Sequence, residues 1–349
     1  MGVIKIASWN AEWMNSWFTP DAEKAAFRSE FKQDGQTNDT RQTTGRAAGL
    51  IRALDPDILA LQEAPSRREE LELFISEYLS DNGSPSYQYF LGDSGGAQKL
   101  ALLYKAGSVD SASLTPHADI AMLLDPWTVD IDGDGFLNDY QFTRVPLVAT
   151  LIVSGHSIQV IVHHTKSSFI NNGRSMWNNP LQRQAFIVEA LNARRRNSAE
   201  CMRTRQYVDS LLQSDPGSLV IILGDLNDGP GLDYFENHFL THNLTDILVG
   251  SAFNPESLFY PAAQDVSAAD RYTAVFDEFV PVDEKNRRLL LDHILLSPGL
   301  DPSAGNGLNR MNHSGRVCHS EYNTQVRNNG KNREDRPSDH RPVMVSLEY

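Results

Sequence analysis

SLVIILGDLND, residues 218–228, is the most informative stretch of the chain. An uninterrupted aliphatic run, Leu219–Leu223, is followed by Gly224, and then by the polar residues Asp225 and Asn227. A short apolar run without alternation reads as a strand covered on both faces. A Gly-Asp-x-Asn sequence after such a strand is ordinary turn composition, because Asp and Asn side chains bond their own backbone. It also places two polar side chains where a buried strand reaches the surface.

The same pattern recurs outward in both directions. VIKIASWN (3–10) ends on Asn10, and DPDILALQE (55–63) ends on Glu63. IQVIVHH ends on His164, followed by Lys166 and Ser167. LLDHILLSP (290–298) carries Asp292 among leucines, and RPSDHRPV (336–343) sets Ser338, Asp339 and His340 just before a last apolar run. Strands are predicted at Val3–Ala7, Ile58–Leu61, Leu100–Tyr104, Leu147–Val153, Ile158–Val162, Leu219–Leu223, Leu289–Leu296 and Val343–Leu347. A lone Glu after a strand is ordinarily solvated surface, and a lone His is more often structural than catalytic. Asp292 resists that reading: a carboxylate inside a leucine-rich strand needs a partner.

Helical spacing is predicted over Arg46–Leu54, Arg68–Leu79 and Leu181–Leu212, the last as one long helix or two with a break near Asn197-Ser198, where Ser198 could cap. Strands interleaved with helices predict sheet layers with helices outside. Trp17–Thr44, Asp125–Tyr140 and Asp301–Arg336 read as inserted loops.

Taken together, Asn10, Glu63, His164, Asp225-x-Asn227, Asp292 and Ser338-Asp339-His340 resemble, in order and approximate spacing, the DNase I-like endonuclease/exonuclease/phosphatase superfamily. The resemblance runs from WNAEW (9–13) to SDHRPVMV (338–345). HHTKSS is similar to a His-x-Lys-Ser variant of bacterial members, and Arg144 to an arginine often found before the strand at Leu147. The resemblance implies one domain over 1–349, with the inserted loops near 17–44, 125–140 and 301–336. Its fold would be a four-layer α/β sandwich, two mixed β-sheets packed face to face with helices outside, and its site would lie where strand ends converge.

It further implies a divalent-metal-dependent phosphoesterase. A phosphodiester is an anion, and a divalent ion offsets the charge that repels a nucleophile. Hard oxygen ligands suit Mg2+ or Mn2+. Glu63 is the expected direct ligand, with Asn10 and Asp339 completing or flanking the metal site. Asp225 orients or deprotonates water, Asn227 holds it or a phosphate oxygen, and His340 faces the phosphoryl oxygens with Asp292 fixing its tautomer. Asp225 and His340 are rivals for the base. His164 assists the leaving oxygen or the phosphate, and Lys166 and Arg144 contact substrate. His163 is expected on the opposite face of its strand.

Asp130-Ile-Asp132-Gly-Asp134-Gly135 matches the start of an EF-hand-type Ca2+ loop, with Asp139 following. Gln141 stands where that loop needs a bidentate Glu, so an acidic turn is the alternative. The basic run Arg194, Arg195, Arg196, Arg203 and Arg205 reads either as a solvated helix face or as a phosphate contact.

The chain has 349 residues and a formal net charge of −14. That balance argues against a generic polyanion binder, but not against an enzyme that gathers acids round a metal. No apolar run reaches the ~20 residues needed to span a bilayer, and no basic-then-apolar leader is visible, so a cytoplasmic protein or a mature secreted form is expected. Cys201 and Cys318 could pair or stay free. The leading expectation is a monomeric nuclease acting on DNA or RNA. A lipid or inositol-phosphate hydrolase is the runner-up, and a non-catalytic binding module the third reading.

Overall fold

A computed structural model describes residues 2–349 except 21–22, 34, 82, 95, 169, 230–233, 240–242 and 279–283. Two mixed sheets form its centre. In the first, Val3–Asn10 lies between Val343–Glu348, antiparallel, and Ile58–Ala64, parallel, and the sheet continues through Lys99–Tyr104 to Gln88–Leu91. In the second, Leu219–Asp225 lies between His156–His164, parallel, and Asp292–Leu296, antiparallel, with Leu147–Val153 and Ser111–Leu114 beyond.

Strand periodicity sorts the side chains into layers. Ile4, Ile6, Ile58, Ala60, Leu102 and Val345 meet Leu151, Val160, Ile221, Leu223 and Ile294 in one apolar cluster between the sheets. The odd-numbered neighbours Ala7, Trp9, Leu59 and Leu61 face outward, against helices Thr40–Leu54 and Arg68–Tyr78. On the far side, Ile161, Val220, Ile222 and Leu295 pack with Cys201, Tyr207, Val208 and Leu248, from helices Arg183–Ser214 and Leu244–Val249. The result is the four-layer α/β sandwich, each sheet buried on both faces, which is why its strands read as continuous apolar runs.

Several boundaries differ from the sequence reading. The first helix begins at Thr40 rather than Arg46, because Asp39 caps it by accepting from the Gln42 N–H. Arg183–Ser214 is a single helix of 32 residues. Of the two alternatives, one long helix or two with a break at Asn197-Ser198, the first holds: the Ser198 hydroxyl bonds back to the Arg194 carbonyl within the helix, and Asn197 reaches out to the Lys166 carbonyl. Leu289–Leu296 is two strands, Glu284–Leu289 and Asp292–Leu296, so Asp292 begins a strand rather than sitting within one.

The expected inserted loops carry structure of their own. A hairpin, Glu30–Gln33 with Gln36–Asp39, lies within the first, and Trp127–Val129 with Asn138–Tyr140 forms another in the second. The third contributes Asn309–Arg310 and Arg316–Val317, both paired with Val343–Glu348, and helix His319–Gln325 against Thr40–Leu54. Cys201 and Cys318 are free and buried in different clusters.

Candidate active site

The strand alternation that builds the central core also aims its last residues. Asn10 follows Ile4 and Ile6 on the inward face, Asp225 follows Ile221 and Leu223, His164 follows Val160 and Val162, and Asp292 precedes Ile294. All four polar groups therefore meet at one edge of the inter-sheet layer. By the same parity Glu63 would point outward with Leu59 and Leu61. A bulge between Leu61 and Ala64 and a left-handed Glu63 (φ 58°) turn it in. Gly224 is required here: a Cβ at this position would lie 1.9 Å from the His163 carbonyl oxygen, so only glycine lets the two strands close up beside Asp225.

The contacts are direct. The Asn10 amide donates to Asp225 Oδ2 (2.8 Å) and to Glu63 Oε1 (3.4 Å), while its oxygen accepts from the Glu12 N–H. Glu63 Oε2 accepts from the Trp13 N–H at 2.8 Å. Asp225 Oδ1 accepts from the N–H of Asn227, whose side chain donates to the Thr165 carbonyl. His164 Nε2 lies 3.6 Å from Asp225 Oδ2 and 3.9 Å from Glu63 Oε1. His340 Nδ1 meets Asp292 Oδ2 at 2.7 Å, and its Nε2 faces Asp225 at 3.9 Å and Asp339 at 4.0 Å. Arg144 donates to the Thr165 carbonyl and to Gln98, beside this cluster. These groups are more enclosed than a solvent-filled cleft would make them: Asp225 is 1% exposed and His340 5%.

Burial without enough positive charge sets the electrostatics. Burial, with Asp292 nearby, pushes the Asp225 carboxyl up to about 7. Burial and Glu12 push Asp339 up to about 6, and burial and Asp339 raise Glu63. Burial would depress His340, but Asp292 and Asp225 outweigh it and hold the imidazole well above its ordinary range. His164 goes the other way: burial, then Arg144, keep it well below. One buried carboxyl, Asp225, and two half-buried ones, Glu63 and Asp339, offer hard oxygens short of positive charge, a donor set that fits Mg2+ or Mn2+.

Some sequence-singled residues lie apart. Asp130, Asp132 and Asp134 gather their carboxylates at the tip of the Trp127–Tyr140 hairpin, and Asp139 belongs instead to its second strand, opposite Thr128. Lys166 is half-buried, and its recorded contact is through its carbonyl. His163 takes the opposite face, as parity requires, against Thr204 and Phe142. The basic run is divided: Arg196 is exposed and Arg195 and Arg203 are half-buried, whereas Arg194 bonds the Ala190 carbonyl and covers Phe235, and Arg205 binds Asp209 and the carbonyls of Leu248, Val249 and Ser257.

Two supporting residues escaped the sequence reading. Glu12, also left-handed (φ 55°), accepts from the Asp339 N–H and binds both Arg333 (3.2 Å) and Arg336 (2.9 Å). Its signal was visible in WNAEW as an acid directly after a buried strand. Thr273 accepts from the N–H groups of Leu291 and Asp292 and so seats the carboxylate; nothing in the sequence around it marks that role.

The model of the Endonuclease/Exonuclease/phosphatase family matches residues 7–340. The chain belongs to this family. Its members are divalent-metal-dependent phosphoesterases. As a family member it is similar in fold to truncated TDP2 of Caenorhabditis elegans, at 15% identity and a TM-score of 0.52 over 99% of this chain and 98% of that one. The human Nocturnin catalytic domain with bound sulfate anion is similar at 17% identity and 0.51, covering 99% and 94%. An endonuclease/exonuclease/phosphatase from Bacteroides vulgatus is similar at 13% and 0.51, covering 100% and 99%. A search of curated proteins finds no match.

Proposed function

We propose that this family member is a nuclease that hydrolyses phosphodiester bonds of DNA or RNA with a divalent metal. The observation that carries the hydrolytic part is the convergence of Glu63, Asp225, His164 and the Asp292–His340 pair at one edge of the sandwich. Glu63 and Asp339 would hold Mg2+ or Mn2+, with Asn10 orienting Glu63 and Asp225 through its amide. Asp225, Asp292 and His340 also lie close enough together to share an ion, but Asp292 Oδ2 is held by His340 Nδ1, which leaves only its Oδ1 free and favours Glu63. The bound metal neutralises a phosphoryl oxygen and eases attack on the anion.

The chain's own groups divide the remaining work. Asp225, poised near neutrality, takes the proton of a water that Asn227 helps to place. Asp292 holds the His340 imidazole well above its ordinary range, so it would donate from Nε2 toward the phosphoryl oxygens, which favours Asp225 over His340 as the base. His164, held neutral, presents Nε2 beside Asp225 and Glu63, where the leaving oxygen or the phosphate would lie. Arg144, whose charge acts on His164, would contact substrate, and Lys166, two residues further along the chain from His164, would add charge there.

Nucleic acid as the substrate rests on the likeness of the core motifs to nuclease branches. The arginines at 194, 205, 333 and 336 do not add to it, since each is engaged inside the protein. One observation favours the lipid or inositol-phosphate reading: Phe136 and Leu137 stand 72% and 71% exposed at the hairpin tip, a feature that could touch a lipid surface. The same tip, through Asp130, Asp132 and Asp134, would hold a Ca2+ ion apart from the catalytic metal. The deciding experiment offers metal-supplemented protein plasmid DNA, a single-stranded oligonucleotide, RNA, sphingomyelin and inositol phosphates side by side, with Asp225→Asn as control. Cleavage of nucleic acid above the control supports the reading. Hydrolysis of sphingomyelin or an inositol phosphate alone replaces it.

A further inference from the structure

Trp13 is out of place for an indole. Trp9 and Trp17, its neighbours in the chain, are fully buried, yet Trp13 is 47% exposed. Its ring has no stacking or hydrogen-bond partner among the described residues, whereas Trp127 and Trp177 each pack against another ring. Its backbone is left-handed (φ 56°, ψ 48°), directly after the left-handed Glu12. Two consecutive non-glycine residues in that region are strained, and such strain gathers where geometry serves function. The same peptide unit donates its N–H to Glu63 Oε2 at 2.8 Å. The ring therefore stands within one side-chain length of the carboxylate expected to hold the metal. On the other side of the cluster, Phe276 lies edge-on to His340 with ring centroids 6.1 Å apart, and it too is 36% exposed.

We infer that Trp13 is a stacking platform for a nucleobase adjoining the scissile phosphate, and so a specificity-determining residue. The inference rests on the nuclease reading above and narrows it. A phosphodiester seated between Glu63 and His340 has a substituent on each side, and each side offers an exposed aromatic ring. Two flat substituents flanking one phosphate describe adjacent nucleosides in an unpaired strand. A phospholipid, with flexible acyl chains on one side and a small headgroup on the other, would leave at least one ring unmatched. Bases inside a duplex are already stacked on their neighbours, so the platform favours single-stranded substrate.

The test is a cycle between protein and substrate. Wild type, Trp13→Ala and Trp13→Phe are assayed with Mn2+ on a single-stranded oligonucleotide and on the same oligonucleotide carrying abasic residues on both sides of the cleaved bond. Trp13→Ala should lower kcat/KM on the normal strand about ten-fold or more, mostly through KM, as loss of one base–aromatic stack implies. It should change cleavage of the abasic strand less than about two-fold, and Trp13→Phe should restore most of the loss. Equal loss on both strands would assign Trp13 a role only in holding Glu63 and overturn the inference. So would no loss on either. If wild type cuts no strand at all while hydrolysing another phosphoester, the nuclease reading itself has failed; an active wild type with an indifferent Trp13→Ala sinks the stacking role alone.

Discussion

Asp292, the first residue of a second-sheet strand, and His340, just ahead of the first-sheet strand Val343–Glu348, are 48 residues apart in the chain and meet through Oδ2 and Nδ1 at 2.7 Å with both side chains buried. The carboxylate is what keeps the imidazole charged against the cost of burial. Asp292→Asn keeps a hydrogen-bond acceptor but removes that charge. Turnover should fall by about 10²–10⁴, the usual worth of a positioned acid or base, while far-ultraviolet circular dichroism stays unchanged. A variant retaining more than half of wild-type kcat would refute the assignment. His340→Ala should also lower the melting temperature, because it strands a buried carboxylate.

Metal binding and pH should be linked. Folded, metal-free protein holds protons on Asp225 and Asp339, pushed up to about 7 and about 6, that an unfolded chain with ordinary carboxyls near 3.8 releases. Raised carboxyls contribute stability that is present below the unfolded value and lost as pH rises through the folded one. A cation takes the protons' place, so its stabilising effect grows over the same window. Mn2+ should raise the melting temperature more at pH 7.5 than at pH 5.5. Buried histidines such as His163, lowered to about 4 by burial, act in the opposite sense, but they weigh equally on the curves with and without metal. Identical metal-induced shifts at both pH values would contradict the site.

Metal removal should also separate chemistry from fold. After exhaustive chelation, hydrolysis should stop and return with Mg2+ or Mn2+, and full activity in excess chelator would end the mechanism proposed here.

Neighbouring inward positions should fail differently. Leu223→Ala, in the central core, should cost ~2–5 kcal/mol, measured by urea denaturation, with specific activity kept by the folded fraction. Asp225→Asn should abolish turnover without comparable loss of stability, since it removes a charge that burial disfavours. If Asp225→Asn unfolds the protein and Leu223→Ala does not, core and site have been assigned the wrong way round.

The acidic hairpin can be tested separately. Calcium should raise the melting temperature, and the double variant Asp132→Ala, Asp134→Ala should erase that rise without altering turnover. A rise that survives both substitutions leaves the loop a plain acidic turn.

The sheets were legible because burial on both faces leaves continuous apolar runs, and strand parity then carries Asn10, His164, Asp225 and Asp292 to one edge. What could not be read depends on breaks in that regularity. Glu63 faces inward only through a bulge and a left-handed residue. Thr273 acts through backbone N–H groups, which leave no trace in side-chain pattern. The Asp301–Arg336 segment reads as loop composition because its strands are two residues long and its arginines are polar; that Arg333 is buried against Glu12 is a tertiary fact. For the same reason the sequence, which offered the Arg194–Arg205 run as a solvated helix face or a phosphate contact, did not separate the buried Arg194 and Arg205 from the exposed Arg196.

The pairing of Val3–Asn10 with Val343–Glu348 has a consequence for biosynthesis. Trp9 donates its indole N–H to the carbonyl of His340, 331 residues later, and Glu12 closes on Arg333 and Arg336. During translation, Val3–Asn10 is made long before Val343–Glu348, the strand that completes its outer edge. Until then Val3–Asn10 leans on Ile58–Ala64 alone and keeps its other edge open, and Asn10 and Glu63 face a half-built pocket. The nascent chain thus holds Asn10 and Glu63 without His340, and its open sheet edge is the surface a chaperone would have to guard.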